Sequence, residues 1–304
     1  MVAGASSDGR HAEQGIDVVL RFHDPTRLLE LGRAVFSLVG QTYRPIRILL
    51  VLQRFTDAEV EATLAALGPL LAWAEDIELV PLRYQRDQPE DARSELLAMG
   101  FAAASGRFLA LLDYDDVLYP EAYQLLIDRL HLGNAAIAFA RTPVVKASLQ
   151  GTFLHALDQS SPFTGTGLAD LFTANFCPIH SYVIDRSRMP DGLLRIEPSL
   201  TQEEDYDLLL RLCATVPSDF ARLDSDIGLY FVKTDGSNSF DRTGSLTADV
   251  LARIADAAAF IEARRRLTLL APDVQRSLGI DPPERGLTVR RWLDRRAATR
   301  GPTA

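Results

Sequence analysis

An α/β fold, with a mostly parallel sheet sandwiched by helices and a helical C-terminal extension, is predicted by three observations. Short apolar runs alternate with helix-periodic segments over the first 120 residues. Acidic side chains gather where the fourth of those runs ends. From Thr247 onward the chain shows helical periodicity only.

The runs "IDVVLRF", "IRILLVLQ", "IELVPLRY" and "RFLALLDY" have the length and apolar density of buried strands. Between them, "TRLLELGRAVFSLVGQ", "TDAEVEATLAALGPLLAWA" and "EDARSELLAMGFAAAS" repeat apolar residues at helical spacing. Such alternation builds a parallel sheet, and ligands of these sheets sit beyond the carboxyl ends of the strands. After Pro120 the pattern is less regular: "AIAFARTPVVKA" and "SYVIDR" read as strands, "EEDYDLLLRLCA" as a helix, and "DIGLYFVKT" as a last strand before the polar loop "DGSNSFDRTGS". A long helix, "TADVLARIADAAAFIEARRRLTLLA", and a short basic one, "LTVRRWLDRRAA", follow. The expected division is a disordered tail over residues 1–15, a main domain over 16–240 and a helical extension over 241–304.

Composition narrows the function classes. The 304 residues are 47% hydrophobic and 24% charged, ordinary for a soluble globular chain. The net charge of −9 argues against nucleic acid as a partner, because phosphate backbones are held by clustered Lys and Arg. No apolar run approaches the ~20 residues that cross a bilayer, and the start lacks the apolar middle of a signal peptide, so a cytoplasmic location is expected. Cys177 and Cys213 stand far apart, outside any CxxC pairing, and read as free core thiols.

The stretch "RFLALLDYDDVLYPEAY" places Asp113, Asp115 and Asp116 at the end of a buried strand, where desolvating carboxylates is costly unless a cation or donor meets them. One reading is a solvated turn, with Asp116 helping to cap the following helix. A second is a haloacid-dehalogenase-type phosphatase, whose opening Asp-x-Asp motif "DYDDVLY" resembles, with Asp113 as nucleophile and Asp115 as acid. A third is metal-assisted binding of a nucleoside diphosphate, with Mn²⁺ or Mg²⁺ shared between carboxylates and phosphate oxygens. The phosphatase motif ordinarily opens its domain, whereas about three strand-helix units precede this one.

The segments "SLVGQTYRPIRILLV", "MGFAAASGRFLALLDYDDVLYPEAY", "EEDYDLLLRL" and "LYFVKTDGSNS", in that order over roughly residues 16–240, resemble the family 2 glycosyltransferases, which have the GT-A fold. The resemblance implies an inverting, metal-dependent enzyme that moves a sugar from a nucleotide-diphosphate sugar to a hydroxyl of a glycan or lipid-linked acceptor. It makes Asp115 the first candidate for direct metal ligand, with Asp116 and Asp235 beside it, and brings Asp113 to the donor's ribose or sugar. It also makes Asp205 the general base, with Glu204 its neighbour. A base here takes the acceptor's proton as the hydroxyl attacks, and crowding with Glu203 and Glu204 tends to raise a carboxylate's pKa toward that role. A nucleotide-sugar-binding module without turnover is the remaining alternative.

Departures from the family pattern bear on the donor. Gln53 and Arg54 stand where an acidic pair usually ends the second strand, with Asp57 as a nearby replacement. His23 and Asp24 end the first strand and could line the nucleotide pocket; Ala98 replaces a frequent Asn, while Gly100 and Gly106 are kept. In the last loop Asp235 stands where many members have His, and Lys233 beside it could meet phosphate. His180, Phe176 and Tyr182 lie where the acceptor pocket is often built, although burial and packing account for such residues equally well. Asp207 and Arg211 are spaced as a helical ion pair that requires no function. The basic C-terminal helix, with Val289, Trp292, Leu293 and Arg296 on neighbouring positions, could touch an anionic membrane or a second copy, or pack on its own domain.

Overall fold

The computed structural model describes residues 4–234 and 248–300. It opens with helix α1 (Gly4–Gln14), where a disordered tail was expected. The His11 ring at the end of α1 lies 2.8 Å from the buried Asp17 carboxylate, which also accepts from Arg47 and from the Ser105 and Gly106 amides. That carboxylate gives the helix a fixed point of attachment that the segment's polar composition does not reveal.

The four apolar runs become strands β1 (Ile16–Phe22), β2 (Ile46–Gln53), β3 (Ile77–Tyr84) and β4 (Phe108–Asp113), parallel and in the order β3-β2-β1-β4. Parallel neighbours require crossovers, supplied by α2 (Leu28–Val39), α3 (Asp57–Leu71) and α4 (Arg93–Ala103). Thr56 and Glu59 start α3 with a reciprocal capping box. Gly100 of α4 is required by close approach, since a Cβ there would lie 2.3 Å from a Val19 methyl.

Beyond β4 come β5 (Val117–Leu118), α5 (Ala122–Leu132), β6 (Ile137–Arg141), β7 (Val144–Gln150), β8 (Phe153–Ser160), α6 (Leu168–Thr173), β9 (Tyr182–Asp185), α7 (Glu204–Thr215), β10 (Ser218–Asp226) and β11 (Gly228–Lys233). Strand β9 inserts antiparallel between β4 and β6, completing a seven-stranded sheet in the order β10-β6-β9-β4-β1-β2-β3. The run "AIAFARTPVVKA" divides at Pro143, whose missing N–H interrupts a ladder, and its second half joins a four-stranded sheet, β5-β11-β7-β8. That second sheet carries β11 back to the acid cluster.

The alternation of β1 divides the core. Ile16, Val18, Leu20 and Phe22 pack with α2 and α5 on one face, while Val19 packs with α4 and α7 on the other. Asp17 and Arg21 share the parity of Val19, so two charged side chains enter that second layer and both must find partners there.

The extension is part of the same core. Helices α8 (Ala248–Leu267), α9 (Pro272–Ser277) and α10 (Val289–Arg300) contribute Ile261, Leu270, Val274, Val289 and Trp292 to the cluster that contains Leu208 to Leu210 of α7. The expected Asp207–Arg211 pair forms at 2.9 Å and is buried, and Arg264 of α8 also donates to Asp207. Trp292 meets Phe172 edge-on with ring centroids 5.9 Å apart, and Arg296 lies over the indole. The apolar side of α10 is therefore turned inward, and the membrane contact weighed for this helix has no such face left to offer. Truncation of Trp292 to Ala should lower unfolding stability by about 3 kcal/mol, measured as a shift of the urea midpoint. An unchanged midpoint would mean that α10 does not contribute to the core.

Candidate active site

Successive strands are added outward from β1 to β2 and β3, and then on its other side as β4, and this switch opens a crevice at the carboxyl ends of the parallel β1 and β4. In the parallel register Arg21 of β1 stands opposite Asp113 of β4. Its Nε and Nη2 donate to Asp113 Oδ1 at 3.1 and 2.7 Å, while Nη1 donates to Glu204 Oε1 at 2.7 Å. One guanidinium thus joins the end of β4 to the start of α7. Burial alone would raise the Asp113 pKa, but the charge and hydrogen bonds of Arg21 outweigh it and hold the carboxyl below its ordinary value.

Helix α7 starts from an unusual turn. Glu203 has φ of 62°, a left-handed conformation that costs a non-glycine residue about 1–2 kcal/mol and that here sets the direction of Glu204 and Asp205. Glu204 is buried against Arg21. Asp205 is half-buried, and its Oδ1 accepts from the Tyr206 amide at 2.8 Å, leaving Oδ2 without that bond. Burial, then the neighbouring Glu204 and Glu203 charges, push the Asp205 carboxyl up to about 7, against the smaller pull of the Tyr206 amide and Arg21. A carboxylate poised near neutrality is suited to proton transfer.

The other two carboxylates of the cluster have partners inside the fold. Asp115 Oδ2 lies 2.6 Å from Lys233 Nζ, the last side chain of β11. Asp116 is buried, and its Oδ1 accepts from the Phe231 amide at 2.8 Å, so it braces β11 and does not face the crevice. Its Oδ2 lies 3.4 Å from Nδ1 of the buried His180, whose ring stacks on Tyr230. Burial lowers the His180 pKa to about 4, which keeps the ring neutral.

The expected divalent ion can be tested against this donor set. Among the described residues no three His, Cys, Asp or Glu side chains are grouped to hold a metal. Asp113 is committed to Arg21, Asp115 to Lys233 and Asp116 to a backbone amide. The described residues therefore do not fit the Asp115 and Asp116 ligand set, and its third member, Asp235, lies outside the described residues.

Several other candidates are placed differently from expectation. Arg54, at φ of 58°, donates to the carbonyls of Arg86, Pro89 and Glu90 and so fastens a loop, leaving the crevice without it. Asp57 is exposed and pairs with Arg83 at 2.6 Å; with Arg54 and Gln85 these residues line an open depression of about 650 Å³ at the ends of β2 and β3. Asp24 accepts from Thr26 and Arg27 in the turn that leads to α2. His23 does reach the crevice, edge-on to Tyr114 at 5.4 Å between ring centroids. Phe176 and Tyr182 are buried in the core near Phe220 and Phe139 and present no face to a sugar.

Two residues of the crevice were not anticipated. Arg21 had a visible signal, a charge that, with Asp17, interrupts the buried strand "IDVVLRF". Tyr114, sandwiched by Phe22, His23 and the Lys233 ammonium, had none beyond its place inside the Asp-x-Asp segment.

A parallel sheet with this crevice and an acidic helix start across from it is the architecture of a GT-A glycosyltransferase. The model of the family described as Glycosyl transferase family 2 matches residues 26–187, more than half of the chain. The chain belongs to that family, and it is a glycosyltransferase. No curated protein matches it. Among solved structures, residues 1–349 of TarS from S. aureus superimpose with a TM-score of 0.55 at 11% identity, covering 84% of this chain and 67% of that one. The same protein in complex with UDP-GlcNAc gives 0.55 at 12% identity, over 84% and 68% of the two chains. Its UDP complex gives 0.54 at 11%, over 88% and 72%. Identity this low speaks for the fold alone.

The Arg21 bridge makes a direct prediction. Arg21→Met leaves Asp113 and Glu204 facing each other without a cation, which should cost about 3–5 kcal/mol of stability at neutral pH, read from urea denaturation, with Arg21→Lys losing less. Asp113 has a depressed pKa, so the stability it contributes is present above its unfolded pKa and is lost as pH falls through the folded one. The deficit of Arg21→Met should accordingly shrink in acid, and a deficit independent of pH would point to lost packing instead.

Proposed function

We propose that the chain transfers a glycosyl group from a nucleotide-diphosphate sugar to an acceptor hydroxyl with inversion, using Asp205 as the general base. The observation that carries this reading is the Arg21 bridge, which sets the start of α7 against the end of β4 and so brings the Asp205 carboxyl to the crevice where family 2 enzymes bind their donors. In the reaction the acceptor oxygen attacks the anomeric carbon while the bond from that carbon to the diphosphate oxygen breaks. The electron pair leaves with the nucleoside diphosphate, and the hydroxyl proton passes to Asp205, with Oδ2 the oxygen not engaged by Tyr206. Glu204, held by Arg21, orients the helix start and raises the Asp205 pKa. His23, exposed and edge-on to Tyr114, offers a ring surface to the donor's base or ribose, and the Asp113 oxygen not engaged by Arg21 is the one proposed to meet its sugar or ribose hydroxyls.

The likeness to TarS makes UDP-sugars the first donors to try, ahead of GDP-, TDP- and CMP-sugars. A glycan or lipid-linked glycan as acceptor is carried over from the family. A cytoplasmic setting agrees with the finding that, among the described residues, no helix is long and apolar enough to cross a membrane.

Asp205→Asn tests the assignment. It should bind the donor almost normally, by thermal shift against the sugar-nucleotide panel, while transfer falls by about 10²–10⁴-fold. Transfer at the parental rate, where chemistry limits turnover, would remove Asp205 from the mechanism.

The pH profile gives a second, independent test. With its carboxyl at about 7, Asp205 is a competent base only when ionised, so transfer should fall as pH drops below neutrality and level off above it. Stability should move the other way. A raised folded pKa contributes stability that is full below the unfolded value, 3.8, and is lost as pH rises through about 7. Urea midpoints of parent and Asp205→Asn should therefore diverge as the pH is raised across that window, the parent losing more.

A further inference from the structure

We infer that Lys233 supplies, from within the chain, the positive charge that a divalent ion would otherwise bring to the acidic crevice, so that the donor's nucleoside diphosphate binds without metal. This rests on the glycosyltransfer reading above and departs from the metal dependence that the family resemblance implies.

The placement follows from the second sheet. Strand β11 pairs with β5, which directly follows the acid cluster, through Leu229 opposite Val117, and it pairs with β7 along its other edge, with Lys233 opposite Ala147. Asp116 accepts from the Phe231 amide and fixes the strand two residues before its end. The lysine is thereby delivered over the Asp-x-Asp turn. Its Nζ stands 2.6 Å from Asp115 Oδ2 and 5.8 Å from the centre of the Tyr114 ring. The lysine side chain is 1% exposed, whereas Asp115 keeps 22% of its surface open.

A divalent ion at Asp115 would stand beside the enclosed Lys233 ammonium, a like charge that opposes it. The other carboxylates are engaged through one oxygen each, Asp113 Oδ1 by Arg21 and Asp116 Oδ1 by the Phe231 amide. The chain's own charges thus do what the metal does elsewhere. A fixed ammonium beside Asp115 cancels its repulsion toward an incoming diphosphate. In a partly enclosed site it also favours the charge that gathers on that diphosphate as the glycosidic bond breaks, with no ligand exchange needed. Lys233 acts in this way through Asp115 and the local field, as a positioning residue.

The test uses the whole chain and UDP as probe, with the other nucleoside diphosphates in parallel. Binding is read by thermal shift and calorimetry in EDTA and in Mn²⁺. The parent should bind the nucleotide with the same affinity in both. Lys233→Met should lose about tenfold or more in EDTA, an effect of at least 1.4 kcal/mol. Lys233→Arg, which keeps the charge, should retain most of the affinity and controls for loss of fold. Nucleotide binding by the parent that requires Mn²⁺ and disappears in EDTA would overturn the inference, and so would parental affinity of Lys233→Met in EDTA. If no nucleotide binds the parent under either condition, the glycosyltransfer reading fails and this inference with it, an outcome distinct from metal-dependent binding.

Discussion

The constraint on which the site depends is the desolvated guanidinium of Arg21. It sits at the end of a strand with core on both faces, and a charge there is tolerable only if carboxylates meet it. Asp113 does so through the sheet register and Glu204 through the approach of α7. The two carboxylates lie far apart in sequence, so this one side chain joins the end of a central strand and a helix start as opposite walls of a single crevice. The left-handed turn at Glu203 is a local strain that such anchoring can sustain.

The crevice is acidic by composition but largely compensated in space. Arg21 answers Asp113 and Glu204, Lys233 answers Asp115, and the Phe231 amide answers Asp116. Asp205 is the exception: crowded by two glutamates and bonded only to its neighbour's amide, it holds its proton more tightly than an ordinary aspartate. Burial and the two glutamate charges raise its pKa toward that of a useful base, against the smaller opposing pull of Arg21. The same helix meets the C-terminal extension at Asp207, where Arg211 and Arg264 converge, so the extension supports α7 from behind.

Much of this was legible in the sequence because it depends on short-range pattern. Strand and helix alternation, the Asp-x-Asp turn at a strand end and the acidic start of α7 are local signals, and they led to the GT-A fold of family 2 and to the proposal of Asp205 as base. The helix α1 is not legible at the polar start because its attachment is a tertiary contact, between His11 and a carboxylate buried in the next strand. Arg54 and Asp24 looked available because each stands at a strand end, but nearby carbonyls and amides had already claimed them.

What the sequence determined by itself was the set of elements and the side chains able to do chemistry, since periodicity and residue type are properties of the chain. Which charge meets which was decided only in the tertiary structure. Arg21 reaches Asp113 because β1 and β4 lie side by side, and Lys233 reaches Asp115 because a second sheet folds β11 back over the turn. Neither pairing has a sequence spacing to betray it, because an ion pair in a desolvated crevice is selected by distance in space, and folding alone sets that distance.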